Sequence, residues 1–264
     1  MADAATGQVA ATAAEVYERD FVPALFAPWA EPIVDAARVS LAHCVVDVGC
    51  GTGVAARAAR RRAGDDGAVI GVDPNDGMLA VAARLAPDID WRMGAAEALP
   101  VDDAVADAVI AQFSLMFLAD PVAGAAEMAR VLRSGGRLAA VTWADLDQNA
   151  GYSAMHALLD ELFGAEIAEG VRVPFTVGDE DTLAGLLASS FPDVSVEREV
   201  RSATFPSIEA WVHTELRGWT ASESIDDEMY ARFLAEAEGR WSSFTDAAGR
   251  VSFPSPALIA TAER

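Results

Sequence analysis

The stretch Val45-Val46-Asp47-Val48-Gly49-Cys50-Gly51-Thr52-Gly53 decides the fold. An apolar, β-branched strand ends in an acid. A G-x-G-x-G turn follows, and then a helix-forming stretch from Val54. Glycine lacks a Cβ, so alternate glycines permit a tight turn and let a ligand approach the main chain. The helix behind them aims free N–H groups and a positive dipole end at that ligand. Asp47 works against a pyrophosphate but favours a cationic or amino-bearing ligand. The dinucleotide fingerprint G-x-G-x-x-G needs a third glycine where this chain has Val54. The motif reads as a nucleotide-type site whose ligand carries positive charge beside an adenosine.

Outward from this loop, strands and helices alternate. Strands are expected near 44–48, 68–73, 89–93, 105–111 and 136–143, with helices near 53–63, 76–86 and 121–132. Alternating βα units imply a doubly wound parallel α/β sheet with ligands at the strands' C-terminal ends. Asp73 ends the second strand, about 20 residues past the last loop glycine, the spacing of a carboxylate on ribose hydroxyls. After Trp143 the pattern changes. Helical segments near 150–164, 179–189, 207–217 and 226–237 surround a strand candidate at 194–201, and 257–262 reads as a late antiparallel strand.

Four blocks stand in order: VVDVGCGTG, GVDPNDGML, GAAEALPVDD and EMARVLRSGGRLAAVTW. Together they resemble the class I S-adenosylmethionine (SAM)-dependent methyltransferases, in the group of the ubiquinone/menaquinone C-methyltransferases and many small-molecule methyltransferases. The resemblance covers roughly residues 40 to 145. It implies a seven-stranded, mostly parallel, Rossmann-like sheet with a helical lid. The chain then divides into an N-terminal helical cap (1–39), a SAM-binding core (40–145), and lid helices with the last strands (146–264). By the same resemblance, Asp47, Gly49, Cys50, Gly51, Thr52 and Gly53 hold the methionine end of SAM, and Asp73 takes the ribose. Pro74 and Met78 pack near the adenine, Gln112 and Phe113 face the methyl-bearing side, and Tyr17 closes over the cofactor. Two positions depart from the pattern. The usual G-D-A-E reads Gly94-Ala95-Ala96-Glu97, so Ala95 lacks the acid that accepts the adenine amino group, leaving the Ala96 backbone and Glu97 to replace it. Ser134 stands where a proline normally precedes Gly135-Gly136, which implies a looser turn.

Composition narrows the partners. The 264 residues carry a formal net charge of -22, and every basic side chain other than histidine is arginine. A lysine base or Schiff base is therefore excluded. So acidic a surface repels nucleic-acid backbones and anionic membranes. Cys44 and Cys50 lie on or beside the first strand, six residues apart, where a disulfide would distort that strand, and free thiols fit a reducing cytoplasm. No Cys/His set implies a metal. The N-terminus lacks the pattern of a signal peptide. Residues 1–11 read as disordered, and 12–39 as helical segments broken at Pro23, Pro28 and Pro32. The oligomeric expectation is a monomer or homodimer.

SAM is already activated, so methyl transfer needs a base only when the acceptor must lose a proton. The candidate bases are His156, on the helix after the fifth strand, and His213, on a later lid helix. His43 precedes the first strand, at the wrong end of the sheet. Phe113, Phe117, Trp143, Phe175, Trp211 and Trp219 are candidates for an apolar acceptor pocket, or for ordinary core packing. Arg60-Arg61-Arg62 reads as a solvated helix end. The expected activity is methylation at O, N or C of a small, largely apolar or aromatic molecule, such as a specialised metabolite or a quinone-like acceptor. The alternatives are a SAM-binding sensor or non-methylating catalyst of the same fold and, against the evidence of Asp47 and Val54, an NAD(P)-dependent oxidoreductase.

Overall fold

The structure is a computed structural model and describes residues 11–218 and 225–264. The expected disorder of residues 1–11 thus lies outside the described residues, except that Ala11 already belongs to a helix. Trp219 also lies outside them.

Seven strands form one sheet in the order β3-β2-β1-β4-β5-β7-β6. They are β1 (Cys44–Val48), β2 (Ala68–Asp73), β3 (Asp90–Met93), β4 (Ala106–Gln112), β5 (Leu132–Trp143), β6 (Val194–Phe205) and β7 (Val251–Glu263). The first five are mutually parallel, with Val46 opposite both Ile70 and Val109. β7 runs antiparallel between β5 and β6, as the apolar stretch at 257–262 led us to expect. Parallel strands covered on both faces read as unbroken apolar runs, and Val45, Val46 and Ala108 to Ala111 are fully buried. Chain order reverses between β1 and β4, and a crevice opens at the C-terminal ends of these two strands.

Helices α3 (Val54–Ala63), α4 (Asp76–Leu85) and α5 (Pro121–Val131) make the crossovers. Beyond β5 come α6 (Ala150–Phe163), α7 (Ala165–Ala168), α8 (Glu180–Ala188), α9 (Ile208–Gly218) and α10 (Asp227–Arg240). Arg61 and Arg62 form the solvated helix end expected, while Arg60 is largely covered. They pair with Asp88, Glu31 and Asp35, which ties α3 to its neighbours.

The N-terminal helical run is not broken at its prolines. Helix α1 (Ala11–Val16) passes through a π-helical stretch (Tyr17–Phe26) into α2 (Ala27–Ala36) without interruption. In a regular α-helix a proline ring clashes with the carbonyl four residues back. Pro23 escapes this because the helix is widened there, and the Ala27 N–H donates to Val22 five residues back. Pro28 stands in the first turn of α2, where a missing N–H removes no bond. Pro32 lies inside α2, which burial of Trp29, Ile33 and Val34 holds in place.

Around Ser134 the strand β5 loops out against β4, in keeping with the looser turn expected. Ser134 to Gly136 continue β5 past a register shift against β4. The chain end secures them: the Gly135 N–H donates to the Arg264 carbonyl at 2.8 Å, and the Arg264 N–H donates to the Gly136 carbonyl at 3.0 Å. The Arg264 guanidinium donates to the carbonyls of Arg130 and Leu132.

Trp29 of α2 is buried and meets Phe113 and Trp143 edge-on, at 6.0 Å and 6.2 Å between ring centroids. We expect Trp29→Ala to lower unfolding free energy by about 3–5 kcal/mol, the usual range for emptying a buried aromatic site. Urea denaturation checks this. A loss below about 1 kcal/mol would mean that the cap is not part of the core.

Candidate active site

The glycine loop is held by the neighbouring strand. The N–H groups of Gly49 and Cys50 both donate to the Val72 carbonyl, at 2.8 Å and 3.1 Å. The Gly51 N–H donates to Asp73 Oδ2 at 2.8 Å, while Asp73 Oδ1 accepts from the Asn75 N–H at 2.9 Å. Asn75 in turn caps α4 by accepting from the Met78 N–H at 3.1 Å. Two glycines are required by space as well as by backbone angle. Gly49 has φ +67°, and a Cβ there would stand 2.5 Å from Ser114 Cβ; Gly53 has φ +86°, and a Cβ would meet the Trp91 ring at 2.3 Å.

A cavity of about 300 Å³ opens beside this loop. Tyr17, Gly49, Gly51, Asp73, Pro74, Met78, Ala95, Ala96, Glu97, Gln112 and Phe113 line it, all of them sequence candidates. The remaining four cofactor candidates, Asp47, Cys50, Thr52 and Gly53, are outside its lining. Phe117 reaches the wall; Trp143 stands behind it, stacked on Phe113 with centroids 3.8 Å apart. Phe175 packs on Tyr152 instead. Trp211 belongs to a separate aromatic core with Phe205, Trp241 and Phe253. Sequence reasoning missed Phe26, Asn75, Ser114, Leu118 and Ala119 in the wall. The Asn75 cap was recoverable from Asp73-Pro74-Asn75-Asp76, and Phe26 from the aromatic spacing of the N-terminal helix. Leu118 and Ala119 carry no signal.

Phe113 is buried at φ +53°, a region that bulky residues rarely adopt. Its N–H donates to Val141 at 2.8 Å, and packing against Phe26, Trp29 and Trp143 holds the ring. Strain of this kind persists where surroundings over-determine it, as at ligand sites. Gln112 donates through Nε2 to the Phe26 carbonyl at 3.1 Å, which ties the cap to the end of β4. Glu97 Oε1 accepts from the Asp120 N–H at 3.1 Å, so this carboxylate also anchors the start of α5.

Burial dominates the electrostatics. It pushes the Asp47 carboxyl up to about 7, opposed by the Ala56 N–H and by Arg57 and reinforced by Asp73. Asp73 is raised for the same reason, despite its two backbone N–H donors. The Tyr17 hydroxyl is shifted strongly upward, first by burial and then by Asp73. The Asp47 Oδ2 and Thr52 Oγ1 atoms are buried without a protein partner.

Neither candidate base reaches the cavity. His156 Nε2 accepts from Arg172 Nε at 3.1 Å on the far side of α6. His213 is exposed on α9, in a second groove bordered by Arg19, Pro23 and Thr204. His43 lies at the N-terminal edge of β1, where its carbonyl accepts from the Ala68 N–H. Among the described residues no group of three or more side chains could hold a metal ion.

Residues 46–140 match the family model described as a methyltransferase domain. This central part of the chain is similar to class I SAM-dependent methyltransferases. The demethylmenaquinone methyltransferase of Renibacterium salmoninarum is 40% identical over 110 residues, which are 42% of this chain and 45% of that protein. The chain thus matches less than half the length of such relatives. Among solved structures, a protein assigned as a methyltransferase of an antibiotic biosynthesis pathway in Anabaena variabilis superposes with a TM-score of 0.64 at 17% identity, covering 88% of this chain and 96% of that one. The [4+2]-cyclase SpnF superposes with a TM-score of 0.56 at 18% identity, covering 90% and 81%. These likenesses extend the shared fold well beyond the matched methyltransferase domain.

Because Asp47 is raised from an ordinary carboxylate value near 4 to about 7, the folded protein holds an extra proton between these limits. Its contribution to stability is fully present below about pH 4 and is lost as pH rises through about 7. We expect Asp47→Asn to flatten that part of the stability–pH curve in ligand-free protein. The variant should match the wild type near pH 4 and exceed it by a few kcal/mol at about pH 8. Denaturant titrations across this range check it, and parallel curves would remove Asp47 as the titrating group.

Proposed function

We propose that this protein transfers a methyl group from SAM to a small, largely apolar or aromatic acceptor, at O, N or C. The observation that carries this reading is the cavity wall itself. One carboxylate, Asp73, stands among apolar surfaces from Pro74, Met78, Ala95 and Ala96, beside a glycine whose open flank faces Tyr17. That donor set fits SAM: an acceptor for ribose hydroxyls, a slot for a purine, and main chain approachable by the methionine end. Ala95 offers no side-chain acceptor, so backbone groups and Glu97 would take the adenine amino group. SAM, when bound, supplies an electrophilic methyl on a sulfonium.

The protein's own residues then bind, orient and exclude water. Phe113 and Phe117 form an apolar wall that suits a planar acceptor, and the turn at 169–175 packs against the short helix carrying Phe117. We place the acceptor at this end. The positions of His156 and His213 favour transfer driven by proximity and orientation, without a histidine base. An acidic surface disfavours nucleic acid as acceptor. No helix among the described residues is long and apolar enough to cross a membrane, and the free thiols of Cys44 and Cys50 favour a cytoplasmic setting.

The likeness to a cyclase keeps a second reading in play, a SAM-binding protein that does not methylate. Calorimetric titration with SAM, S-adenosylhomocysteine (SAH) and NAD tests the cofactor. We expect SAM and SAH to bind and NAD not to, and Asp73→Ala to weaken SAM by about 1–3 kcal/mol. Unchanged affinity in that variant would overturn the ribose assignment. Accumulation of SAH with an added acceptor separates methyl transfer from the alternative.

A further inference from the structure

The cap reaches the glycine loop through one cation. Arg57, in the first turn of α3, donates from Nη1 to the Thr52 carbonyl at 2.5 Å and from Nη2 to Glu18 Oε1 at 2.9 Å. Thr52 lies inside the G-x-G-x-G turn, and Glu18 follows the cavity-lining Tyr17 in the π-helical stretch. Both side chains of the pair are only about one-fifth exposed, at 21% and 23%. The second oxygen of Glu18 is buried without a hydrogen-bond partner. A cation in the first turn of a helix opposes the helix dipole, so Arg57 gains nothing from α3 itself. Its stabilisation comes from the loop carbonyl and from the acid on the cap.

We infer that Arg57 is a positioning residue that latches the Tyr17–Phe26 cap to the glycine loop, so that both sides of the cavity are held in register. The inference rests on the proposed cofactor reading only for its effect on SAM. The latch itself is a property of the ligand-free protein. Removing one member of a half-buried pair leaves the other charge desolvated and uncompensated, which loosens the joint. Arg57 also bears on the chemistry behind the loop. Asp47 faces Asp73, Tyr17, Cys50 and Arg57, and of these only Arg57 is a cation.

The test compares Arg57→Gln, Arg57→Lys and Glu18→Gln with the wild type. Amide hydrogen exchange over residues 17–26 in ligand-free protein reads the latch. We expect exchange about tenfold or more faster in Arg57→Gln and Glu18→Gln, with Arg57→Lys intermediate because one ammonium replaces a two-armed fork. SAH titrations across pH read the second effect. Affinity in Arg57→Gln should fall about tenfold, with its pH midpoint displaced upward. Arg57→Lys, keeping the charge, should restore the midpoint. A merely structural residue would not move that midpoint. If strand amides of β1 and β4 also exchange faster in Arg57→Gln, the variant is unfolding globally and Glu18→Gln decides. Exchange over 17–26 at the wild-type rate in Glu18→Gln would overturn the latch. Failure of wild-type protein to bind SAH would instead overturn the cofactor reading, and the exchange result would still judge Arg57.

Discussion

The end of β2 fixes the glycine loop, and the rest of the site follows from that contact. A single carbonyl, Val72, accepts from two successive loop N–H groups, and the next residue, Asp73, accepts from a third. The loop is therefore a continuation of the sheet's hydrogen bonding around a corner. Packing against this corner leaves no room for a side chain at Gly49 or Gly53. Ser114 from the end of β4 and Trp91 from β3 fill the places where Cβ atoms would go. It also gives Asp73 two duties. Its oxygens shape the loop and cap the approach to α4 while its side chain still faces the cavity. A substitution there disturbs loop and ligand together.

The second constraint is the burial of acids. Asp47 and Asp73 are almost inaccessible, and neither has an ion-pair partner within its own wall. Desolvation of a carboxylate is costly unless hydrogen bonds or charges offset it. The fold offsets it in part with backbone N–H groups from Ala56, Gly51 and Asn75 and with Arg57 behind the loop. What remains uncompensated is a negative potential at the loop. A cationic ligand relieves that cost on binding, so part of the affinity is stored as instability of the empty site.

The centre of the sheet was legible in the sequence because β1, β2 and β4 are buried on both faces. Val45 to Val48, Val69 to Val72 and Ala106 to Ala111 read as short apolar runs, and the helices between them have strong boundary signals. The late antiparallel strand was visible for the same reason. The sheet-side lining of the cavity was legible because its residues follow strand ends at fixed offsets. What escaped was tertiary in origin. Pro23 signalled a break, but the packing of Phe21 and Trp29 held the chain helical and the π register absorbed the ring. The looser turn at Ser134 was legible, but not that Arg264, far away in sequence, would pin the glycines after it. Trp211 was open between pocket and core and proved to be core, because an aromatic on an amphipathic helix has no mark that separates the two fates. His156 and His213 were placed by topology alone, and topology does not say which face of a helix points to a cavity.

These failures share a cause that bears on how the site is closed. The loop and Asp73 are set by neighbours in one sheet, with short-range geometry that a motif can encode. The opposite wall is set by a helix joined to that sheet through Arg57, Gln112 and the stacked rings of Phe113, Trp143 and Trp29. Such contacts couple residues scattered along the chain, and each can be exchanged for another of similar shape. One wall therefore carries a recognisable motif while the other does not. Two irregularities lie on the sheet side: at Ala95, after β3, an expected acid is missing, and Phe113, after β4, has a strained backbone held by rings from three other elements. The cap side is set by packing rather than by the motif that gives the fold away.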